Sequence, residues 1–155
     1  MTPYASANAA AKSVVMQKVQ HVQTDKVAEL ATATWSNCLR IGNEISMSGM
    51  TAHPASRQAQ LDTYQQTLVV LGKVRDLVLA AGGSVGGIYK LVIYVRDIND
   101  KDEVGRARRD FFQAPYPCST LVEVSALVFP ELTVEIDAFA RLDIDLQQAD
   151  VMVAA

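Results

Sequence analysis

Alternation between apolar and polar positions is clearest near the C-terminal end of the chain. From Thr133 to Leu142, Val134, Ile136 and Ala138 oppose Glu135, Asp137 and Phe139, the two-residue period of a strand with two unlike faces. Thr120 to Leu127 alternates in the same way. Ile88 to Val95 is an almost unbroken apolar run, which suits a central strand covered on both faces. Upstream, Ser36 to Ile41 and Glu44 to Met50 read as a hairpin around the two-residue turn Gly42-Asn43. In its second arm, Ile45, Met47 and Gly49 are expected on one side, and Ser46, Ser48 and Met50 on the other. Val14 to Gln23 is mixed and admits a first strand.

Two stretches change period. Leu61, Tyr64, Leu68, Leu71 and Val78 recur at helical intervals, and Gly82-Gly83 supplies a helix stop. From Lys101 to Gln113, Val104, Ala107 and Phe111 form a second stripe, with Asn99 or Asp100 as its N-cap and Pro115 and Pro117 beyond its end. The order β-β-α-β-α-β-β predicts an α+β domain, one mixed sheet with two helices on one face. Two helices cover one face only. The other still carries Leu, Val, Ile and Met among Ser and Glu, so it is expected to meet another surface, most economically a second copy of the chain. A pocket lined by polar groups of two subunits would follow. Residues 1–13 read as a flexible Ala- and Ser-rich extension, 14–146 as the domain, and 147–155 as a frayed tail.

Composition removes several function classes. The chain has 155 residues, 50% of them hydrophobic and 20% charged, which fits one domain. Its 14 Lys+Arg against 17 Asp+Glu, with no basic run, leave nucleic acid little to bind. No stretch approaches ~18 apolar residues, so no membrane span is expected. Met1 to Lys12 lacks the charged start and apolar core of a secretory signal. Cys38 and Cys118 match no zinc spacing. No metal is expected, and the two residues read as reduced thiols of a cytoplasmic protein.

Certain segments carry a more specific message. These are Ile45-Ser46-Met47-Ser48-Gly49-Met50, Ala80-Ala81-Gly82-Gly83-Ser84, Lys90 to Asp97, Pro117 followed by Ser119 to Val124, and Val134-Glu135-Ile136-Asp137-Ala138. Together, from about Trp35 to Leu142, they resemble the Rid (reactive intermediate deaminase) family, also called YjgF or L-PSP-like. The resemblance implies a chorismate-mutase-like fold and a homotrimer with sites in clefts between subunits. It also implies hydrolysis of small reactive enamines or imines to a keto acid and ammonia, without cofactor or metal.

Carried over residue by residue, the resemblance puts the family's Ser on Ser48 and its Glu on Glu135, the candidate catalytic pair. The Tyr position holds Trp35, the Asn position Gly105, the Cys position Leu121, and the Arg position Ser119. The last departure matters most. A guanidinium fork suits a substrate carboxylate, and losing such a charge-assisted pair removes about 1.5–3 kcal/mol of binding. Ordinary amino-acid-derived imines are therefore expected to be poor substrates. Arg40, Arg96, Arg106 and Arg109 are the cations considered as substitutes, with Arg106, next to Gly105, assigned to the site; its bland reading, an exposed helix residue, is the more economical.

Glu135 is suited to orient or deprotonate water attacking a C=N carbon and to return a proton to the departing nitrogen, a task that partial burial would assist by raising its pKa. It also reads as a sheet carboxylate bonded to backbone. Asp137 shares its face and reads as structural. Trp35 reads as cleft wall or core. Cys118, Ser119 and Thr120 form a polar group suited to a ligand oxygen, and Cys118 with His53 or His21 would make a thiol–imidazole dyad. The reading is a cofactor-free imine or enamine hydrolase with a non-standard substrate. The alternative is a small-ligand-binding trimer that has lost the chemistry. Ribonuclease activity, an older family label, fits poorly with a pI of 5.3.

Overall fold

The computed structural model describes residues 13–155. The expected N-terminal extension, except for residue 13, lies outside the described residues. Six strands form one sheet: β1 (Val19–His21), β2 (Cys38–Ile41), β3 (Glu44–Thr51), β4 (Ile88–Val95), β5 (Cys118–Glu123) and β6 (Val134–Arg141). Their spatial order is β1-β2-β3-β6-β4-β5. β4 and β5 run parallel and every other pairing is antiparallel. The helices are α1 (Ala55–Gln58), α2 (Thr63–Ala80) and α3 (Lys101–Phe111).

Local chemistry explains the helix ends. Asp62 caps α2 through a reciprocal box: its Oδ1 accepts from the Gln65 amide at 2.8 Å, and Gln65 Oε1 accepts from the Asp62 amide at 3.0 Å. At the other end the Gly83 amide donates to the Val78 carbonyl and the Gly82 amide to Leu79, while Gly82 takes φ +86°. That is a Schellman stop, and glycine is needed for its left-handed backbone. Gly42 performs the equivalent service in the hairpin, at φ +58°. Asp100 occupies the α3 N-cap without capping through its side chain. Its carboxylate instead accepts from Thr63 Oγ1 at 2.7 Å, tying the two long helices together.

The core lies between one sheet face and α2 and α3. Ile45, Met47, Leu91, Ile93, Ile136 and Ala138 from the sheet meet Val70, Leu71, Val74, Leu77 and Val104 from the helices. Each fully buried Val, Leu or Ile contributes about 1.5–3 kcal/mol. The α2 stripe differs from expectation. Leu61 precedes the helix, Tyr64 and Leu68 are half-buried, and the polar Gln66 and Thr67 are buried. Both are satisfied. Gln66 Nε2 donates to the Leu61 and Glu131 carbonyls, its Oε1 accepts from the Thr133 amide, and Thr67 Oγ1 donates to the Thr63 carbonyl.

Three sheet expectations are corrected. Met50 faces the core with Ile45 and Met47, because a bulge between Met47 and Met50 reverses the alternation there. The strand expected to reach Leu127 ends at Glu123, where the chain turns away after a last bond from the Val124 amide to Val95. β4 is central but has only one face buried; within the chain Val92 and Tyr94 remain half-exposed. The same uncovered face carries Phe139 of β6 and Val122 of β5.

Candidate functional site

Strand parity divides the candidate residues between the two sides of the sheet. Glu135 and Asp137 alternate with the buried Val134, Ile136 and Ala138, so they stand on the uncovered face. Glu135 lies between Thr51 of β3 and Tyr94 of β4. The bulge brings Gly49 against it, and a β-carbon at position 49 would overlap the Glu135 carboxylate. Burial, then the nearby Asp137 charge, holds the Glu135 carboxyl above its ordinary 4.5. Asp137 in turn accepts from the Tyr94 hydroxyl at 3.0 Å, which raises the phenol's pKa.

Ser48 belongs to the same bulge. Its hydroxyl donates to the Ser36 carbonyl at 2.6 Å and its amide to the Asn37 carbonyl. With that proton committed, what Ser48 has left to offer a ligand is acceptor capacity. Trp35 is 55% exposed beside this segment, its indole N–H directed to Asn37 Oδ1 at 3.3 Å. Asn37 is fixed by its backbone N–H, which donates to Glu29 Oε2 at 2.6 Å, so the approach to Ser48 is held from the β1–β2 connection.

On the helix side, a cleft of about 540 Å³ is lined by Ile98, Lys101, Asp102, Gly105, Arg108, Arg109 and Leu121. Leu121 and Ser119 pair with the core residues Ile93 and Leu91, which turns both toward α3. Ser119 Oγ accepts from Arg108 Nη1 at 2.6 Å. Cys118 and Thr120 pair instead with Lys90 and Val92 and occupy the opposite face, so the polar group after Pro117 is divided.

Arg106 stands away from this cleft. It pairs with Glu103 at 2.6 Å and its guanidinium lies 3.8 Å over the Tyr64 ring. The cation beside Gly105 and Ser119 is Arg108. Sequence reasoning overlooked it, although residues three and four after Gly105 share its helical face. Tyr94 was missed for a different reason: in an apolar run it reads as packing.

Cys118 and His53 are not brought together within the chain. Cys118 is level with Lys90 at one end of β4, whereas His53 follows Thr51 near the level of Tyr94, with β6 and β4 between them. His53 stacks on Phe129 with ring centroids 4.6 Å apart, and His21 is engaged with Glu29 at 2.8 Å. Both cysteines are free, and burial pushes the Cys38 thiol up to about 11. Among the described residues no group of three or more His, Cys, Asp or Glu is placed to hold a metal, and no helix is long and apolar enough to cross a membrane.

The family profile described as Endoribonuclease L-PSP matches residues 26–142. The chain belongs to the Rid/YjgF/L-PSP family. A 2-iminobutanoate/2-iminopropanoate deaminase of Escherichia coli K12 is 34% identical over 104 residues, covering 64% of this chain and 80% of that protein. Among solved structures, PA3499 of Pseudomonas aeruginosa, a protein of unknown function, is 58% identical with a TM-score of 0.85, covering 87% of this chain and 100% of that one. E. coli TdcF with bound serine is 28% identical, TM-score 0.70, covering 79% and 98%.

Proposed function

We propose that this Rid-family chain is a cofactor-free hydrolase of a small reactive imine or enamine, working in a cleft between the subunits of a homotrimer on a non-standard substrate. Glu135 carries the reading. It is a partly buried carboxyl seated against the Gly49 backbone, with no basic partner among the described residues and a pKa raised toward the range where it can both take and give a proton. Deaminase and serine-bound relatives support the same chemistry and a small-molecule ligand.

In this mechanism Glu135 accepts a proton from water as the oxygen adds to the C=N carbon. It then returns that proton to nitrogen, and the carbinolamine collapses to a carbonyl with loss of ammonia. Ser48 accepts a hydrogen bond from the attacking water or the substrate nitrogen, and Trp35 forms a wall. Within one chain, Glu135 and Gly105 lie on opposite sides of the sheet. Two copies are needed to bring the carboxylate half against the guanidinium half, which supports a site between subunits. Both thiols being free suits a cytoplasmic setting.

The alternative, a binding trimer without turnover, draws on Ser119 standing where the family has Arg. Arg108 answers part of that objection by bringing a guanidinium to Ser119. Oxidase-generated imines, with keto-acid release followed, decide between the two. Glu135→Gln is expected to lower the protein-dependent rate about 100-fold or more while leaving the oligomer intact. Undiminished turnover in that variant would sink the mechanism; no turnover by the native protein on any imine, with ligand binding retained, would favour the binding trimer.

A further inference from the structure

Arg57, Arg75, Arg106 and Arg141 each pair with a carboxylate. Arg108 and Arg109 have no such partner among the described residues, and residues 1–12 contain no Asp or Glu that could supply one. Their guanidinium groups nevertheless converge. A β-carbon on Gly105 would lie 3.8 Å from Arg108 Nη2 and 3.9 Å from Arg109 Nη1. Ser119 fixes the other end of the Arg108 fork, so Nη2 is left facing the space over Gly105.

Two like charges aimed at one space repel unless something negative enters it. Arg108 already registers the cost: burial and the Arg109 charge both hold its pKa below the ordinary value. The rest of the cleft does not compensate. Three cations, Lys101, Arg108 and Arg109, line it against the single carboxylate of Asp102, which Lys101 engages at 3.2 Å. Two positive charges are left without a counter-ion. A monocarboxylate would neutralise one and leave the other opposed, whereas a substrate with two anionic groups closes the balance. Ile98 and Leu121 supply apolar contact for a short carbon chain between them.

We infer that the α3 cleft selects a small dicarboxylate imine or its enamine, with Arg108 and Arg109 each engaging one of the two carboxylates over Gly105. The inference rests on the deaminase reading and names its substrate class. The charge of the site, rather than its catalytic carboxylate, then distinguishes this chain from a monocarboxylate deaminase. Ser119 acquires a purpose as well: it leaves room for Arg108 and anchors it.

The test uses the native oligomer and two stable product-like probes, 2-oxoglutarate and 2-oxobutanoate, titrated by calorimetry at fixed ionic strength. 2-Oxoglutarate is expected to bind at least about 10-fold more tightly. Arg109→Gln should bring the two affinities within about 2-fold, and Arg108→Gln should weaken both probes about 10-fold. Equal binding of the two keto acids, no measurable binding of either, or a preference unchanged in Arg109→Gln would each overturn the inference. Imines generated from aspartate and from alanine separate this outcome from the deaminase reading. Equal turnover of both removes the dicarboxylate preference and keeps the enzyme. Turnover of neither, with 2-oxoglutarate preference intact, removes the enzyme and keeps the cleft.

Discussion

The two sides of the sheet treat charge in opposite ways, yet with the same omission. On the uncovered face Glu135 sits partly buried beside a second carboxylate, with no cation among the described residues to offset it. On the helix side Arg108 sits partly buried beside a second guanidinium, with no carboxylate paired to either among the described residues. Other partly buried cations have partners, either a carboxylate or backbone carbonyls: Lys73 donates to the Thr51 and His53 carbonyls and Arg40 to those of Gly42 and Ala81. At the far end of β6, Arg141 pairs with both Glu44 and Asp143, and on α3 Arg106 pairs with Glu103 only two residues before Arg108. Partly buried charges without partners cost free energy. Among the described residues Glu135 and the Arg108–Arg109 pair leave charge unopposed in one negative and one positive region, which is the ground for proposing that both face a ligand.

Gly49 offers the most severe way to break the carboxylate region without touching Glu135. A β-carbon there would collide with the carboxylate, which is the free end of a flexible side chain and can swing aside. Gly49→Ala is therefore expected to fold, with an unfolding midpoint near that of the native protein. Displacing the carboxylate by about 1 Å would cost on the order of 100-fold in turnover. Native-like turnover would show that Glu135 does not work from its seat in the bulge. A collapsed midpoint would show that the seat is structural.

That seat was also the least legible part of the fold. The hairpin, its Gly42-Asn43 turn, the Gly82-Gly83 helix stop and the alternation of the last strand all follow from local chemistry, and each appears where the sequence puts it. The bulge is signalled only by Gly49 followed by Met50, which break the alternation of Ile45 to Ser48 without fixing which side the chain resumes on. Only pairing with β6 shows that Met50 rejoins the core and that Gly49 gives way to Glu135. Gln66 and Thr67 escaped notice as core for a related reason. A polar letter conceals a buried position when its partners are settled only by the fold, as for Gln66, two of whose three partners lie 65 and 67 residues away. The candidate site was legible as a set of positions but not as two half-sites. Cys118, Ser119 and Thr120 are adjacent in sequence and divided by parity. Arg106 adjoins Gly105 in sequence but engages Glu103 and Tyr64 instead.

The guanidinium region can be sharpened at Gly105, where fold and function pull apart. Glycine inside a helix is about 1 kcal/mol less favourable than alanine. The contacts a β-carbon would make, at 3.8 and 3.9 Å, are ordinary packing distances to the ends of two arginine side chains. Gly105→Ala should accordingly stabilise the chain by up to ~1 kcal/mol in denaturant unfolding, while weakening keto-acid binding by occupying the space over the helix. Gain of stability with unchanged affinity would mean that the ligand does not use that space. Loss of stability would mean that the arginines cannot yield even this much.

The smallest effect is expected at Asp137, and its sign is fixed by the order of causes. Burial contributes most to the raised Glu135 pKa and the Asp137 charge contributes less. Asp137→Asn removes the repelling charge but leaves the burial. The limb of the pH–rate profile that reports Glu135 ionisation should move to lower pH without reaching the ordinary 4.5. Stability must follow the same linkage. A carboxyl with a raised folded-state pKa makes the native chain bind more protons than the unfolded chain between 4.5 and that raised value, so stability falls as pH rises through this window. In Asp137→Asn that fall should be smaller. The amide carbonyl introduced by the substitution can still accept from Tyr94, while the phenol loses the charge that raises its own pKa. A rate limb that moves upward, or a steeper loss of stability with pH, would mean that Asp137 stabilises the ionised Glu135 rather than opposing it.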